Sequence, residues 1–190
     1  MVKVTGFLAL GFVGMNLARH FLRVGRGPVV SVLLAVVVQV ALLLATIALV
    51  TAVTGIGLGW VTGQGGAASI RSWLSMTTDI GIVAGFLGML LGLGDHTDTM
   101  LLITRGAGVL VAGGFLVRFL FATFRGTIHP VGGLGVATFV LVILFPVVHP
   151  WYMLWAILPL AAWANQMLFR VAVVAYSAFF SFTVLPRGLA

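Results

Sequence analysis

Few residues in this sequence could take part in chemistry, since only ten of its 190 residues are basic and three are acidic. Arg71 and Arg105 are candidates for binding an anionic group such as a lipid phosphate, because a guanidinium offers several N–H donors to phosphate oxygens. Either arginine could instead extend its charged head toward water from an apolar helix. The residue types alone leave both interpretations open.

The segment HPWY at 149–152 is the second candidate. Trp and Tyr rings can stack on the apolar faces of sugars, and a histidine can donate a hydrogen bond to a hydroxyl or a phosphate. His149, Trp151 and Tyr152 are therefore predicted to contact a sugar or a lipid at the rim of a site. The alternative is a tight turn between two helices, broken by prolines and anchored by aromatic side chains.

The three acidic residues all fall between positions 79 and 98. Asp79, Asp95 and Asp98 could serve acid–base or metal chemistry. They could also cap helices, Asp79 the segment after SMTT and the other two the turn before Met100. We favour capping, treat His96 as a turn residue, and predict neither a metal site nor a cofactor.

The composition indicates an integral membrane protein. The chain is 62% hydrophobic and 7% charged, with a mean hydropathy of +1.25, whereas a soluble domain is about 25% charged. The net charge of +7 comes from basic residues scattered between apolar runs, which favours helix orientation over nucleic-acid binding. The absence of cysteine excludes disulfides and thiolate sites.

The apolar runs predict one all-α polytopic membrane domain over residues 1–190, because about 20 residues of helix cross a bilayer. Six spans are expected, at about 2–17, 29–54, 100–124, 131–148, 151–168 and 171–185. The Gly-, Ser- and Thr-rich region 55–99 is expected to lie outside, with a short interfacial helix at 69–75. A re-entrant or externally packed segment at 80–94 should follow, and its Gly81/Gly85 and Gly88/Gly92 spacings suit close helix packing.

The basic residues also predict sidedness. Arg19, Arg23 and Arg26 follow the first span and place that loop in the cytoplasm. Region 55–99 and the turn at 149–150 then lie outside the plasma membrane, and Arg118, Arg125 and Arg170 fall at cytoplasmic helix ends. Trp151, Tyr152 and Trp155 would sit at the outer interface, where amphipathic rings are favoured.

Three strings give the sequence a family resemblance: GLGWVTGQGGAASIRSWLSMTT, LGLGDHTDTMLLITRGAGVLVAG and FPVVHPWYMLWAILPLAA. Together they resemble the C-terminal half of actinobacterial polyprenol-phosphate-mannose-dependent α-(1→6)-mannosyltransferases, which are GT-C-class membrane enzymes. The resemblance implies mannose transfer from polyprenyl-phosphate-mannose to a mannan or lipomannan acceptor on the outer face of the membrane. It also implies that the catalytic base lies in an earlier external loop, so no residue here inherits that role and the chain is expected to be a fragment.

Two other functions fit a chain of this composition. One is a transporter or flippase for a lipid-linked saccharide, which predicts an internal repeat that the sequence does not show. The other is a non-catalytic membrane scaffold subunit, which would contribute packing alone. We expect the mannosyltransferase, with Arg71 and Arg105 toward the donor phosphate.

Overall fold

The computed structural model describes residues 6–55, 57, 75–146, 148–164 and 167–183, and every regular element among them is helical. The elements, in chain order, are α1 (Phe7–Arg23), α2 (Pro28–Thr54), α3 (Met76–Leu90), α4 (Thr97–Arg125), α5 (Pro130–Leu144), a 3-10 turn (Pro150–Met153), α6 (Leu154–Trp163) and α7 (Met167–Thr183). They group into two compact units, residues 1–66 with 118–134 and residues 67–117 with 135–190. The all-α prediction is confirmed for the described residues.

The first unit is built on the pair α1 and α2, which pack along each other. Phe12 and Ala18 of α1 and Ala35 of α2 are buried, and an apolar groove of about 240 Å³ lies beside them. Pro28 begins α2, where the missing N–H of proline costs no hydrogen bond. The unit is therefore held together by apolar contact along two helices.

Within the described part of the chain, two helices are long and apolar enough to cross a membrane, α2 with 27 residues and α4 with 29. Large side chains along α2 are exposed, among them Val29 at 70%, Val37 at 63% and Leu49 at 65%. A helix in the core of a soluble protein would bury such residues, whereas lipid accepts them. The chain is therefore a membrane protein, and the expected spans at 29–54 and 100–124 coincide with α2 and α4.

Two of the other expected spans, 131–148 and 151–168, are shorter as helices. The runs expected at 2–17 and 171–185 are represented by the 17-residue helices α1 (Phe7–Arg23) and α7 (Met167–Thr183). The run at 131–148 is helical only to Leu144, because Pro146 disfavours helical backbone at Phe145. The run at 151–168 becomes the 3-10 turn followed by α6, whose ten residues extend about 15 Å, half of a bilayer core. The count of six spans stays a prediction.

In the second unit, α3 and α4 form a helical hairpin. Ser75 caps α3, its Oγ accepting a hydrogen bond from the Thr78 N–H at 3.2 Å. Gly92 ends α3 with a φ of 74°, and the Leu93 N–H donates to the Gly88 carbonyl at 3.0 Å, the pattern of a Schellman motif. The expected interfacial helix at 69–75 lies outside the described residues except for Ser75.

The glycine spacing of α3 accounts for the hairpin packing only in part. A Cβ at Gly81 would lie 3.0 Å from the Leu101 Cα, and one at Gly85 would lie 2.7 Å from the Thr97 Cα, so both glycines permit close backbone approach. Gly88 has no atom that close. The packing prediction is confirmed for Gly81/Gly85, while the Gly88/Gly92 pair shapes the turn.

Candidate functional site

The buried polar centre of the second unit is the hydroxyl of Thr78. Its Oγ1 donates a hydrogen bond to the Pro146 carbonyl at 3.0 Å. The same oxygen accepts hydrogen bonds from Nε and Nη2 of Arg105, at 3.3 and 3.2 Å. One hydroxyl thus connects α3, α4 and the segment that follows α5.

Two neighbouring hydroxyls complete what we call the hydroxyl clasp, comprising Ser75, Thr77 and Thr78. Thr77 Oγ1 donates to the Leu144 carbonyl at 3.4 Å and lies 3.1 Å from Ser75 Oγ. All three residues are buried. The last carbonyls of a helix have no hydrogen-bond donor within the helix. The clasp therefore supplies a donor to the last carbonyl of α5.

Gly108 of α4 makes room for this contact. A Cβ on Gly108 would collide with Thr77 Cγ2 and would lie 3.1 Å from the Leu144 carbonyl oxygen. A glycine is therefore required where α4 passes the clasp and the end of α5. Arg105 lies on α4 one turn earlier, which brings its guanidinium to Thr78.

The HPWY segment forms a compact cluster of rings. The His149 imidazole stacks on the Trp151 ring, with centroids 4.5 Å apart and planes 2° apart. Tyr152 stacks on Trp155 at 4.4 Å and meets His149 edge to face at 5.1 Å. The 3-10 turn at Pro150–Met153 produces this arrangement, because three residues per turn place His149 and Tyr152 side by side.

The structure divides the predicted contact residues by exposure. Trp151 is 41% exposed, whereas Tyr152 is 9% exposed and packs in an apolar core with Val142, Val148 and Met153. Trp151 can therefore present a ring face to a ligand, and Tyr152 supports the cluster from beneath. Arg105 is half-buried, and Arg71 lies outside the described residues.

The acidic residues occupy the α3–α4 hairpin. Asp95 Oδ1 accepts hydrogen bonds from the N–H and Oγ1 of Thr97, at 3.0 and 2.6 Å, so capping is confirmed for Asp95. Asp79 lies in the first turn of α3, which Ser75 caps instead, and desolvation raises the pKa of the Asp79 carboxyl. Among the described residues no group of three or more His, Cys, Asp or Glu side chains could hold a metal ion.

The residue that sequence reasoning missed is Thr78. Its only signal is two adjacent threonines, Thr77 and Thr78, at the start of an otherwise apolar segment. Their acceptors, Leu144 and Pro146, lie 67 and 68 residues later in the sequence. Nothing local in the sequence indicates such a distant contact.

Similarity to known proteins now adds to this geometry. The chain is 67% identical to alpha-(1->6)-mannopyranosyltransferase B of Corynebacterium glutamicum over 190 residues, covering 100% of the chain and 32% of that protein. It is 47% identical over 173 residues to an alpha-(1->6)-mannopyranosyltransferase of Mycobacterium tuberculosis, covering 91% of the chain and 29% of that protein. The second enzyme of that organism, alpha-(1->6)-mannopyranosyltransferase A, is 33% identical over 176 residues, 92% of the chain and 33% of that protein.

The chain spans about a third of the length of these curated relatives. No solved structure matches it. The family model of the MptB C-terminal domain matches residues 77–190, which begins within the hydroxyl clasp and includes Arg105 and the ring cluster. Because this match covers more than half of the chain, the chain belongs to the MptB C-terminal domain family.

Proposed function

We propose that this chain is part of a membrane α-(1→6)-mannosyltransferase that takes mannose from polyprenyl-phosphate-mannose and adds it to a mannan or lipomannan. The observation that carries the proposal is the 67% identity, over all 190 residues, to a protein named alpha-(1->6)-mannopyranosyltransferase B. The lipid-linked donor suits a chain whose α2 exposes its apolar side chains. The sugar and its linkage follow the names of the relatives, and the donor and the acceptor follow the family resemblance.

Arg105 is the group proposed to meet the donor phosphate. In the transfer an acceptor hydroxyl oxygen bonds to C1 of mannose and gives its proton to a base, and the bond from C1 to the phosphate oxygen breaks with its electron pair left on that oxygen. Negative charge then grows on the departing lipid phosphate, and a cation fixed beside it lowers the barrier. Two hydrogen bonds to Thr78 hold the guanidinium in place, and Arg71 is proposed as a second phosphate contact.

The ring cluster is the proposed sugar or lipid contact. Trp151 is exposed, and the stacked His149 fixes the orientation of its ring. The Pro146 carbonyl that accepts from Thr78 lies three residues before His149, so the arginine and the cluster share one anchoring point. This arrangement supports a single site with a cationic part and an aromatic part.

The outer face of the plasma membrane is the proposed side of this site. Thr78 and Pro146 are in contact, so the start of α3 and the turn after α5 share one side. The charge pattern of the sequence, with Arg19, Arg23 and Arg26 in the first loop, favours a cytoplasmic first loop and an external region 55–99. Multi-pass topology is part of this proposal.

The test is mannose transfer by membranes that carry the full-length enzyme with Arg105→Ala. We expect kcat to fall about 100- to 1,000-fold, the usual effect of removing one donor that stabilises a developing oxyanion. Arg105→Lys should recover only part of the rate, because an ammonium keeps the charge but lacks the planar fork. His149→Ala is expected to raise KM for the lipid donor.

The matched control is Arg118→Ala, which removes an exposed arginine from the same helix. A surface substitution of this kind should leave the rate within about twofold. The amount of folded enzyme is measured in each membrane preparation by gel filtration in detergent. Wild-type transfer by Arg105→Ala, at equal amounts of folded enzyme, would remove Arg105 from the site.

A further inference from the structure

The hydroxyl of Thr78 uses its whole hydrogen-bonding capacity. A threonine hydroxyl has one proton to donate and two lone pairs to accept with. The proton goes to the Pro146 carbonyl at 3.0 Å, and Nε and Nη2 of Arg105 approach the oxygen at 3.3 and 3.2 Å. Because Thr78 is 0% exposed, bulk water cannot replace any of these partners.

We propose that Thr78 is a positioning residue for the phosphate site, fixing the Arg105 guanidinium relative to the turn that carries His149 and Trp151. The inference rests on the proposed function of Arg105. A free arginine side chain populates many rotamers, and fixing it in one of them costs conformational entropy. Two donors directed to one buried oxygen remove much of that freedom before the donor lipid binds, which is the condition for efficient charge stabilisation.

The other two hydroxyls of the clasp provide the hydrogen bonds at the start of α3 and at the end of α5. Ser75 caps α3, and Thr77 supplies a donor to the Leu144 carbonyl at the end of α5. Of the three hydroxyls, that of Thr78 accepts hydrogen bonds from Arg105. Its contribution is therefore to the orientation of a cation, and it differs from the structural contribution of its neighbour Thr77.

This difference supplies a matched pair of variants in the full-length enzyme. Thr78→Val keeps the shape of the side chain and removes the hydroxyl, and Thr77→Val does the same one residue earlier. We expect Thr78→Val to lower kcat between about 10- and 100-fold, as a small misplacement of a catalytic group does. KM for polyprenyl-phosphate-mannose should change much less. Thr78→Ser, which restores the hydroxyl, should recover most of kcat.

Thr77→Val should leave kcat near the wild-type value, because its hydroxyl bonds a backbone carbonyl away from Arg105. The double variant Arg105→Ala/Thr78→Val measures how far the effect of Thr78 on kcat depends on Arg105. If Thr78 acts through Arg105, Thr78→Val should have little further effect on kcat once Arg105 is alanine. A multiplied loss in the double variant would contradict the inference.

The outcomes also separate this inference from the proposed function. A large loss in Arg105→Ala with wild-type kcat in Thr78→Val overturns the role of Thr78 and leaves the phosphate site intact. Wild-type kcat in Arg105→Ala overturns both. A third outcome is an equal fall of activity in Thr77→Val and Thr78→Val, in proportion to the loss of folded enzyme. That result would show that the role of Thr78 is purely structural and would also overturn the inference.

Discussion

The two units of the chain treat buried hydroxyl groups in opposite ways. In the first unit, Ser31 Oγ and Thr123 Oγ1 are buried and have no hydrogen-bond partner among the described residues. In the second unit, Ser75, Thr77 and Thr78 are buried and hydrogen-bonded. Ser75 Oγ bonds the Thr78 N–H and the Thr77 hydroxyl, Thr77 and Thr78 donate to carbonyls at and after the end of α5, and Thr78 also accepts from Arg105. The unpartnered hydroxyls of the first unit do not orient any neighbouring group. The hydrogen-bonded hydroxyls of the second unit fix the positions of two helix ends and of the Arg105 guanidinium.

This difference indicates where the molecule needs precise geometry. A buried hydroxyl without a partner costs about 1–3 kcal/mol in desolvation, and an apolar helix pair can tolerate it because its packing is not directional. A satisfied polar network specifies a single arrangement of the elements that meet there. The residues proposed for phosphate and sugar contact lie in the unit that has such a network.

Among the substitutions that test this difference between the units, Gly108→Ala should change the free energy of unfolding most. The added Cβ would collide with Thr77 Cγ2 and press on the Leu144 carbonyl, and overpacking of this kind costs between about 1 and 3 kcal/mol. Gly106→Ala is the control, because a Cβ on Gly106 meets nothing within 4 Å. Alanine should stabilise the helix there by up to about 1 kcal/mol.

The measurement is the denaturation midpoint of the full-length enzyme in detergent micelles. Gly108→Ala should lower the free energy of unfolding while Gly106→Ala raises it or leaves it unchanged. Equal stabilisation of both variants would show that α4 does not approach the clasp closely. It would contradict the close packing that we describe around the hydroxyls of the second unit.

A smaller effect is expected from Asp95→Ala, in the same unit. The substitution removes two hydrogen bonds to Thr97, and loss of such a cap costs about 1 kcal/mol. Thr99→Ala, an exposed position in the first turn of α4, is the control and should change stability by less than about 0.5 kcal/mol. Differential scanning fluorimetry of the purified enzyme measures both, and an unchanged midpoint for Asp95→Ala would argue against the cap.

The smallest effects are expected in the first unit. Ser31→Ala and Thr123→Val remove hydroxyls that have no hydrogen-bond partner in the part of the chain that the structure describes, so the free energy of unfolding should stay unchanged or rise by up to about 1 kcal/mol. The same measurement on Thr77→Val should show a loss of about 1 kcal/mol. A loss in Ser31→Ala as large as that in Thr77→Val would remove the distinction between the two units.

Much of the helical framework could be predicted from the sequence. The limits of α2 and α4 follow from continuous apolar runs, and the expected starts at 29 and 100 lie within three residues of those observed. The cap at Asp95 and the close approach at Gly81/Gly85 follow from local spacing. These features depend on neighbours within one helix or one hairpin, which a linear pattern records.

The rest depends on contacts between distant segments. Hydropathy treats residues 151–168 as one apolar run, but its first three residues belong to the 3-10 turn and α6 covers only Leu154–Trp163. Arg105 could be singled out as a buried cation, while its tie to Thr78 and Pro146 could not. The burial of Tyr152 against Val142 and Val148 could not be predicted either. A tyrosine at the membrane interface and a tyrosine in a protein core have the same sequence signature.

The clasp also bears on how the chain is assembled during synthesis. Thr77 and Thr78 leave the ribosome well before their acceptors, Leu144 and Pro146, which follow 67 and 68 residues later. At the elongation rates of about 5–20 residues per second this interval lasts several seconds. The α3–α4 hairpin is therefore synthesised several seconds before the carbonyls to which its two hydroxyls donate, and the end of α5 is completed only when these long-range contacts form.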